Sequence, residues 1–527
     1  MMSQCSACGA SAIADSDEFE FSIKTGPQTL ARISQLLATN EPPQEPELAV
    51  LRPVAQKTAA RLACLDAEIS RLQDQLKQLQ DERASLAEYH AQNTTILSPM
   101  RRIPSEILGE IFLSSLPSKC ALKVQDSPWV LTHVCRLWRA VAVSNSSLWT
   151  RIHVNFANGE KYSLDMARTQ IERARTLRIG FYGSRDDDSG PQVNVLQLLL
   201  ERSSIWQELR LGLIAALVPL LTEYSERLPL LRRAWVQWDG PGSQVGIDSL
   251  DFLALAPSLT DITVFSEYRF IPTLLPSHHQ LTRYDFDAPW TTHYELLRSL
   301  PNLQEVRIVR NFDRSVPWPA PGDPIQLVHL RRMCVSDSRI LNYLIAPVLE
   351  SIAIYDRKNL ATNSHLERFI TRSSCAVRRL CIAGLPDVQS TEEILRQHPF
   401  MTQLALWITD PHAENENSER DLLTRFLIRF TVSNSTRILS HLSKLHFGCE
   451  NANAISYSLY LNMVDSRWSS SDCHLEDTEL LLPNAAADLD PEFLSRMETL
   501  IQRGMHISFL LGESAHTRAE QWFHIAI

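Results

Sequence analysis

The segment PSLTDITV at residues 257–264 recurs as PNLQEVRI at 301–308 and as PVLESIAI at 347–354. Each copy is a proline, one further residue and then Φ-x-x-Φ-x-Φ, where Φ is an apolar residue and x is any residue. Weaker copies extend the recurrence, and the ten first Φ positions are residues 206, 231, 259, 281, 303, 330, 349, 377, 401 and 442. Since eight of the nine spacings lie between 19 and 28 residues, the pattern predicts one structural unit that repeats along the chain.

An apolar stretch of helical character, such as 250–255 or 294–300, precedes these strings. The unit is therefore predicted to be a helix, a turn and a short strand, which resembles an irregular leucine-rich repeat without its asparagine. Stacked units bury the Φ side chains in one core. We expect an α/β fold over 155–527, with a curved parallel sheet, a last strand near 505–511 and a capping tail. An ordinary α/β domain is the alternative.

The residue between the last two Φ positions is predicted to point away from the core, because side chains alternate along a strand. Interfaces draw most of their energy from Trp, Tyr and Arg. We therefore expect a target protein to bind the first half of this series, which carries Arg210, Trp235 and Arg307. Trp318, in the proline-rich insertion 310–324, is expected to fold over it. The alternative is that Trp235 is covered by its neighbours and the arginines are only solvated. The first half of the series is Arg210, Trp235, Thr263, Asp285 and Arg307, and the second is Cys334, Ala353, Cys381, Ala405 and His446.

Apolar residues at steps of three and four predict a coiled coil over 54–93. The seam, with Arg83 at one a position, consists of Leu62, Leu65, Ile69, Leu72, Leu76, Leu79 and Leu86. We expect residues 54–90 to self-associate or to bind a partner helix; the alternative is an amphipathic helix folded back on its own protein. Residues 1–53, with four prolines between Pro42 and Pro53, are expected to be poorly ordered.

Residues 97–154 predict a small helical domain. One helix follows Pro104 and carries a stripe of Ile107, Leu108, Ile111 and Phe112. A second is predicted to begin at Ser127-Pro128, where a capping residue precedes proline, and its stripe is Val130, Val134, Leu137, Trp138 and Val141.

These residues resemble the F-box, especially in F-box-like proteins of basidiomycete fungi. The pattern is carried by 103–108 (IPSEIL), 111–112 (IF), 134–139 (VCRLWR) and 148–149 (LW). Two departures are Ile103 in place of leucine and a longer 114–127 segment without the usual Asp-Leu pair. The resemblance implies a Skp-type adaptor and, through it, a cullin. It assigns the adaptor contact to Ile103, Pro104, Ile107, Leu108, Ile111, Phe112, Val134, Trp138, Leu148 and Trp149.

Charge also fits an acidic adaptor. Residues 97–154 carry seven Lys and Arg against three Asp and Glu, a net charge of +4 in a chain of net charge −10. Opposite charges speed the encounter of two proteins. The alternative is a helical cap that only seals the end of the repeats.

Composition excludes several classes of protein. An acidic chain is a poor general nucleic-acid binder, and the longest apolar stretch, 213–221, is far shorter than the roughly 20 residues of a membrane span. The ten scattered cysteines and the absence of a signal peptide favour reduced thiols and the cytoplasm or nucleus.

No enzyme motif is found, and we expect neither catalysis, a cofactor nor a metal. The pair Cys5 and Cys8 is too isolated to predict zinc, 186–188 (DDD) lacks the EF-hand pattern, and His278-His279 is predicted to be an exposed turn. The sequence therefore predicts a substrate receptor of a Skp–cullin–F-box ubiquitin ligase. The alternatives are a non-catalytic scaffold and an enzyme whose site is assembled from scattered residues.

Overall fold

The structure is a computed structural model, and its chain divides into two compact units between Pro104 and Ser105. It describes residues 27–117, 122–157, 159–186, 188–223, 228–254, 256–266, 268–276, 280–313, 316–320, 322–355, 362–409, 417–432, 439–473, 475–484 and 491–523. Cys5, Cys8, Asp187, His278, His279 and residues 410–416 lie outside these residues. The predicted division into 1–53, 54–93, 97–154 and 155–527 stays a prediction.

The first unit is built on one long helix. Helix α1 is Pro27–Ala38 and helix α2 is Glu45–Ile96, followed by a 3-10 turn at Pro99–Arg102. Helix α2 has 52 residues and is therefore about 78 Å long.

Helix α2 begins nine residues before the predicted start, and the expectation that prolines break this region is wrong for 45–53. A capping box starts it: the Glu47 carboxylate accepts from the Gln44 N–H at 2.8 Å. Pro46 lies in the first turn, where its missing N–H costs nothing. Pro53 is inside the helix, where its missing N–H removes one backbone hydrogen bond while the helix continues on both sides.

The second unit contains the helices α3 Ser105–Ser114, α4 Leu131–Val134, α5 Arg136–Ser144, α6 Leu164–Arg173, α7 Ser189–Leu200, α8 Val218–Glu223, α9 Trp290–Ser299, α10 Thr362–Ser373, α11 Val388–Gln397, α12 Asn417–Phe430, α13 Tyr457–Trp468, α14 Pro491–Gln502 and α15 Gly512–Phe523. Its strands are β1 Arg151–Asn155, β2 Leu177–Tyr182, β3 Trp206–Leu213, β4 Arg233–Trp238, β5 Asp261–Phe265, β6 Arg283–Asp287, β7 Glu305–Val309, β8 Ile325–Gln326, β9 Arg332–Val335, β10 Leu344–Ile345, β11 Ser351–Tyr355, β12 Arg379–Gly384, β13 Gln403–Ile408, β14 Lys444–Cys449, β15 Asp477–Leu482 and β16 His506–Leu511.

Fourteen of these strands form one open parallel sheet whose order follows the chain, from β1 to β16. Strands β8 and β10 are left out and pair with each other. The predicted α/β class, the long N-terminal helix and the parallel sheet are confirmed.

The recurring Φ residues place the core on one face of this sheet. Ile262 and Val264 on β5, like Val306 and Ile308 on β7, are at most 1% exposed and pack against the helices. We call this face the helix side and the opposite face the outward side.

The connections are less regular than the repeat pattern predicts. The predicted helix near 294–300 is present as α9, but 250–254 contains turns. There Leu250 forms backbone hydrogen bonds with Pro272 and Leu274 instead of helical ones. This strand-like bridge satisfies the backbone N–H and C=O of Leu250, which in a helix would be hydrogen-bonded within the helix itself.

The chain end also differs from expectation. Strand β16 is present at the predicted place, but the tail after it does not cap the sheet. Helix α15 packs on the outward side, where Ala515, Ala519 and Trp522 contact the sheet. Among the described helices, none is both long and apolar enough to cross a membrane.

Candidate protein-binding surfaces

Helices α3, α4 and α5 lie in the segment predicted to be a small helical domain, but the second predicted helix is broken and begins at Leu131, after the predicted start at Ser127-Pro128. Cys135 has extended backbone at φ −158°, and its Sγ accepts a hydrogen bond from the Trp138 N–H at 3.4 Å. Cys135 therefore ends α4 and caps α5, which a stripe of apolar spacings cannot reveal.

Four of the residues assigned to the adaptor build the interior of this domain. Leu108, Phe112, Leu148 and Trp149 are 0–2% exposed, and the Trp149 indole N–H donates to the Ala142 carbonyl at 2.7 Å. The assignment of these four to a contact with another protein is therefore wrong for the described fold, because their side chains already pack inside the domain.

Other residues of the assigned set remain on the surface. Ile107, Ile111 and Val134 are 53%, 42% and 55% exposed, and Leu137 of the same stripe is 42% exposed. We call these four residues the apolar patch. Trp138 is half-buried and its ring lies 4.8 Å from that of Phe112, which makes it the link between patch and interior.

Ile103 and Pro104 belong to the first compact unit. Ile103 is half-buried and Pro104 is exposed.

The helical domain is fixed to the start of the sheet by aromatic and polar contacts. The Trp129 indole N–H donates to Gln170 Oε1 at 3.0 Å, and the Gln170 amide donates to the Arg151 carbonyl at 2.7 Å. The Arg173 guanidinium lies 4.4 Å from the Trp149 ring centre. These contacts hold the domain against α6 and β1.

The second surface is a row of side chains on the outward side of the sheet. All ten predicted outward positions are paired in register with their neighbours across adjacent strands, and four further strands, β1, β2, β15 and β16, extend the row. We call it the outward row: His153, Gly180, Arg210, Trp235, Thr263, Asp285, Arg307, Cys334, Ala353, Cys381, Ala405, His446, Glu479 and Ser508.

Helix α15 covers the second half of this row. Its Ala515, Ala519, Trp522 and Phe523 form a buried cluster with Cys334, Ala353, Cys381 and Ala405. The sheet residues are small because a helix lies directly on them. This half is therefore filled by the chain itself.

A charged cluster anchors α15. Glu479 accepts from Arg518 Nε at 2.9 Å and from the Trp522 indole N–H at 2.9 Å. His446 lies 3.2 Å from Glu479 and 3.3 Å from Asp477. Sequence reasoning missed this cluster; its only signal was a histidine and two carboxylates at outward positions of adjacent strands.

Hydrogen bonding sets the charges of the cluster. Burial by itself would raise the pKa of Glu479, but the hydrogen bonds from His446, Arg518 and Trp522 lower it to about 2. Burial by itself would lower the pKa of His446, but the hydrogen bonds to Asp477 and Glu479 raise it. Both groups are thus favoured in their charged forms.

Within the described chain, one group of His, Cys, Asp or Glu side chains is close enough together to hold a metal ion, and it belongs to this cluster. His446, Asp477 and Glu479 place one ligand atom each within 4.8 Å of one another. Arg518 and Trp522 already bind the Glu479 carboxylate, so the described arrangement serves as an anchor for α15.

The first half of the outward row carries the exposed groups. Arg210 is exposed and Trp235 is half-buried. The Trp235 ring lies 6.1 Å from Tyr182 and 6.3 Å from Phe265, and Arg307 lies 5.3 Å from the Phe265 ring centre. The result is a strip of aromatic rings in which Arg210 lies on the strand between those of Tyr182 and Trp235, and Arg307 lies at the end beside Phe265.

Two predicted target residues lie beneath this strip. Thr263 and Asp285 are 1% and 2% exposed, so larger neighbours cover them and their assignment to a target contact is wrong. Arg307 donates to Asp285 at 3.2 Å. Since Arg307 compensates a buried carboxylate, it has a structural role as well as a partly exposed surface.

Trp318 lies elsewhere. Its ring is 5.4 Å from Trp290 and 5.5 Å from Tyr343, and the Arg310 guanidinium is 4.1 Å from its centre. Trp290 and Tyr343 belong to the helix-side core. The expectation that Trp318 folds over the outward row is therefore wrong, because the rings of the core attract it to the other face.

Beside the outward row runs a second row with alternating charge. It is paired in register and consists of Arg178, Glu208, Arg233, Asp261, Arg283, Glu305 and Arg332. Ion pairs join Glu208 to both Arg178 and Arg233, and a second series of ion pairs joins Asp261, Arg283, Glu305 and Arg332. Such cross-strand pairs fix the register.

No protein-family model matches this chain, and no curated protein matches it.

Proposed function

We propose that this protein is a substrate-receptor subunit of a Skp–cullin–F-box ubiquitin ligase, in which the helical domain binds the adaptor and leucine-rich-repeat-like units bind the target. The observation that carries the proposal is the apolar patch on a helical domain whose sequence resembles the F-box. Under this proposal the protein performs no bond chemistry. It holds a target near a ubiquitin-charged enzyme and so raises the local concentration of the reacting groups.

The patch supports adaptor binding by its composition and its setting. Ile107, Ile111, Val134 and Leu137 are each more than 40% exposed and lie on or at the ends of three helices, α3, α4 and α5, that pack on one another. Exposed apolar surface of this kind marks interaction sites. The positive charge of residues 97–154 complements an acidic adaptor. The contacts of Trp129 and Arg173 hold the helical domain that carries the patch against α6 and β1.

The sheet supports target binding on the first half of the outward row. Its strands follow the chain in order, as stacked repeats do. The second half is occupied by α15, so the aromatic strip with Arg210 and Arg307 is the part that offers side chains to another protein. Trp, Tyr and Arg are the residues that most often dominate interface energy.

The proposal is tested by co-purification of the full chain with a Skp-type adaptor. Wild type should retain the adaptor, whereas Ile107→Asp should lose it, because a carboxylate would be buried without a partner. Val143→Asp is the matched control: Val143 is 41% exposed and lies about 120° around the α5 axis from Leu137. Loss in both variants or in neither, or a folded wild type without adaptor, would contradict the proposal.

A second candidate is a non-catalytic scaffold without a ligase link. The exposed apolar seam of α2 favours it, because that seam needs no adaptor to bring chains together. The same co-purification separates the two candidates: a scaffold keeps its self-association while no adaptor is retained.

A further inference from the structure

Helix α2 exposes a continuous apolar stripe. Leu62, Leu65, Ile69, Leu72, Leu76, Leu79 and Leu86 are 42–64% exposed, and within the described part of the chain no residue of α2 is buried. We call these seven residues the heptad seam. The seam covers about 3.5 heptads and about 36 Å, which is the length over which coiled coils become stable.

We propose that the heptad seam binds the heptad seam of a second copy of this chain, parallel and in register, so that the protein works as a dimer. This inference is independent of the proposed function.

The charged residues beside the seam favour pairing with a second copy in parallel orientation. In a parallel pair, the residue before each a position lies beside the residue five positions later on the other chain. None of these pairs joins like charges, and the first is attractive. The pairs are Arg61 with Asp66, Glu68 with Gln73, Gln75 with Gln80 and Glu82 with Ala87.

The antiparallel alternative is disfavoured by the same residues. Full overlap of the two seams pairs Leu62 with Leu86 and Leu72 with Leu76. This alignment puts Glu68 of each chain beside Glu82 of the other. Two repulsive carboxylate pairs result, and like charges at such positions select against a pairing.

Arg83 fixes the register. It occupies an a position within the seam, and in register the two arginines share one polar layer, where Glu82 of the second copy lies beside each of them. A shift by one heptad would place one arginine against Leu76 and the other against His90, and so create two layers that each contain an arginine. A single polar a residue specifies register in this way.

Both chains leave a parallel rod at the same end. The dimer therefore presents two outward rows on one particle. This one consequence uses the target binding proposed above: a target with two binding segments would be held more tightly than by one copy, because its second contact becomes intramolecular.

The test is disulfide cross-linking of the full chain. Leu72→Cys places two thiols in one d layer of a parallel, in-register dimer, within the distance a disulfide requires. Asp74→Cys is the matched control, since Asp74 lies two residues away on the outer side of the pair. Wild type gives the background from its own cysteines.

The expected result is near-complete cross-linking of Leu72→Cys, with wild type and Asp74→Cys at background, and sedimentation of wild type at twice 59.8 kDa. Cross-linking only in a mixture of Leu72→Cys and Leu76→Cys chains would overturn the parallel orientation. A wild type that sediments as a monomer at micromolar concentration would overturn the dimer.

Discussion

Arg518 Nε lies 2.9 Å from Glu479 Oε1, and this ion pair joins the last helix of the chain to the outward side of the sheet. Glu479 is 3% exposed, so its carboxylate depends on Arg518, Trp522 and His446 for compensation. The pair holds α15 over the small residues of the outward row. Those residues are therefore small because of a contact within the chain.

Glu479→Gln should loosen α15 and expose the thiol of Cys381. Removing the charge weakens the bonds from Arg518 and His446, each worth about 2 kcal/mol. Cys381 is 1% exposed beneath α15, and burial raises its pKa, so it should be unreactive in wild type. Maleimide labelling followed by mass spectrometry measures the change.

The labelling experiment has two controls and one variant that gives its upper limit. Glu513→Gln alters an exposed carboxylate of the same helix and should leave Cys381 protected. Cys449 lies in the helix-side core and should stay unlabelled in every folded variant. Removal of residues 512–527 should give the full labelling of Cys381; protection without α15 would show that the helix is not its cover.

Stability should fall as pH rises above neutrality, because of His446. The pKa of His446 is raised above 6.5, so its contribution is complete below pH 6.5 and is lost as pH rises through the folded-state value. The pKa of Glu479 is lowered from 4.5 to about 2, so its contribution is complete above pH 4.5 and is lost as pH falls towards 2. From this pair, stability is greatest between about pH 4.5 and 6.5.

The check is the melting temperature of wild type and His446→Gln between pH 6.5 and 9. Asp477 and Glu479 face this histidine, and Lys444 and Arg518 pair in turn with those two carboxylates. Wild type should lose more stability over this range than the variant. Parallel pH profiles would assign the effect to other groups.

Arg210→Ala together with Trp235→Ala should remove target proteins while the fold remains. Both side chains offer surface on the first half of the outward row, and interface residues of these types often contribute about 2 kcal/mol each. Arg307 is left intact because its loss would strand the buried Asp285 carboxylate. Affinity capture with mass spectrometry, after the proteasome is blocked, compares the partners of wild type and variant.

Arg331→Ala is the control for that capture, since Arg331 is 62% exposed and pairs only at the surface with Glu350. It should keep the partners. If the double variant also keeps them while a change at His446 removes them, the target binds the second half of the row.

Alanine substitutions at Leu108 and Ile107 should distinguish a buried position from an exposed position of the helical domain by their effect on stability. Leu108→Ala removes a fully buried side chain and should cost about 2–5 kcal/mol. Ile107→Ala acts at a 53% exposed position and should change stability by less than about 1 kcal/mol. Thermal unfolding measures both, and equal losses would place Ile107 in the interior.

Local pattern was enough to predict eleven of the fourteen strands of the large sheet and the face that their outward residues take, but it did not predict β1, β2 or β15. Side chains alternate along a strand, so Ile262 and Val264 had to point one way and Thr263 the other, and the ten outward positions fall in one row as predicted. The 3.5-residue repeat likewise predicts a long helix around Leu62–Leu86. Both signals act between residues that are neighbours in sequence.

Tertiary contacts decided which of these residues are exposed and can therefore contact another protein. Phe112 and Ile111 are adjacent in one stripe, yet packing against Trp138 buries the first and leaves the second exposed. The cover of Cys381 by α15 depends on a helix more than 130 residues later in the chain, and the place of Trp318 depends on Trp290 and Tyr343. Burial and ion pairing at such separations are set by how whole elements pack, which the spacing of residues along one element does not contain.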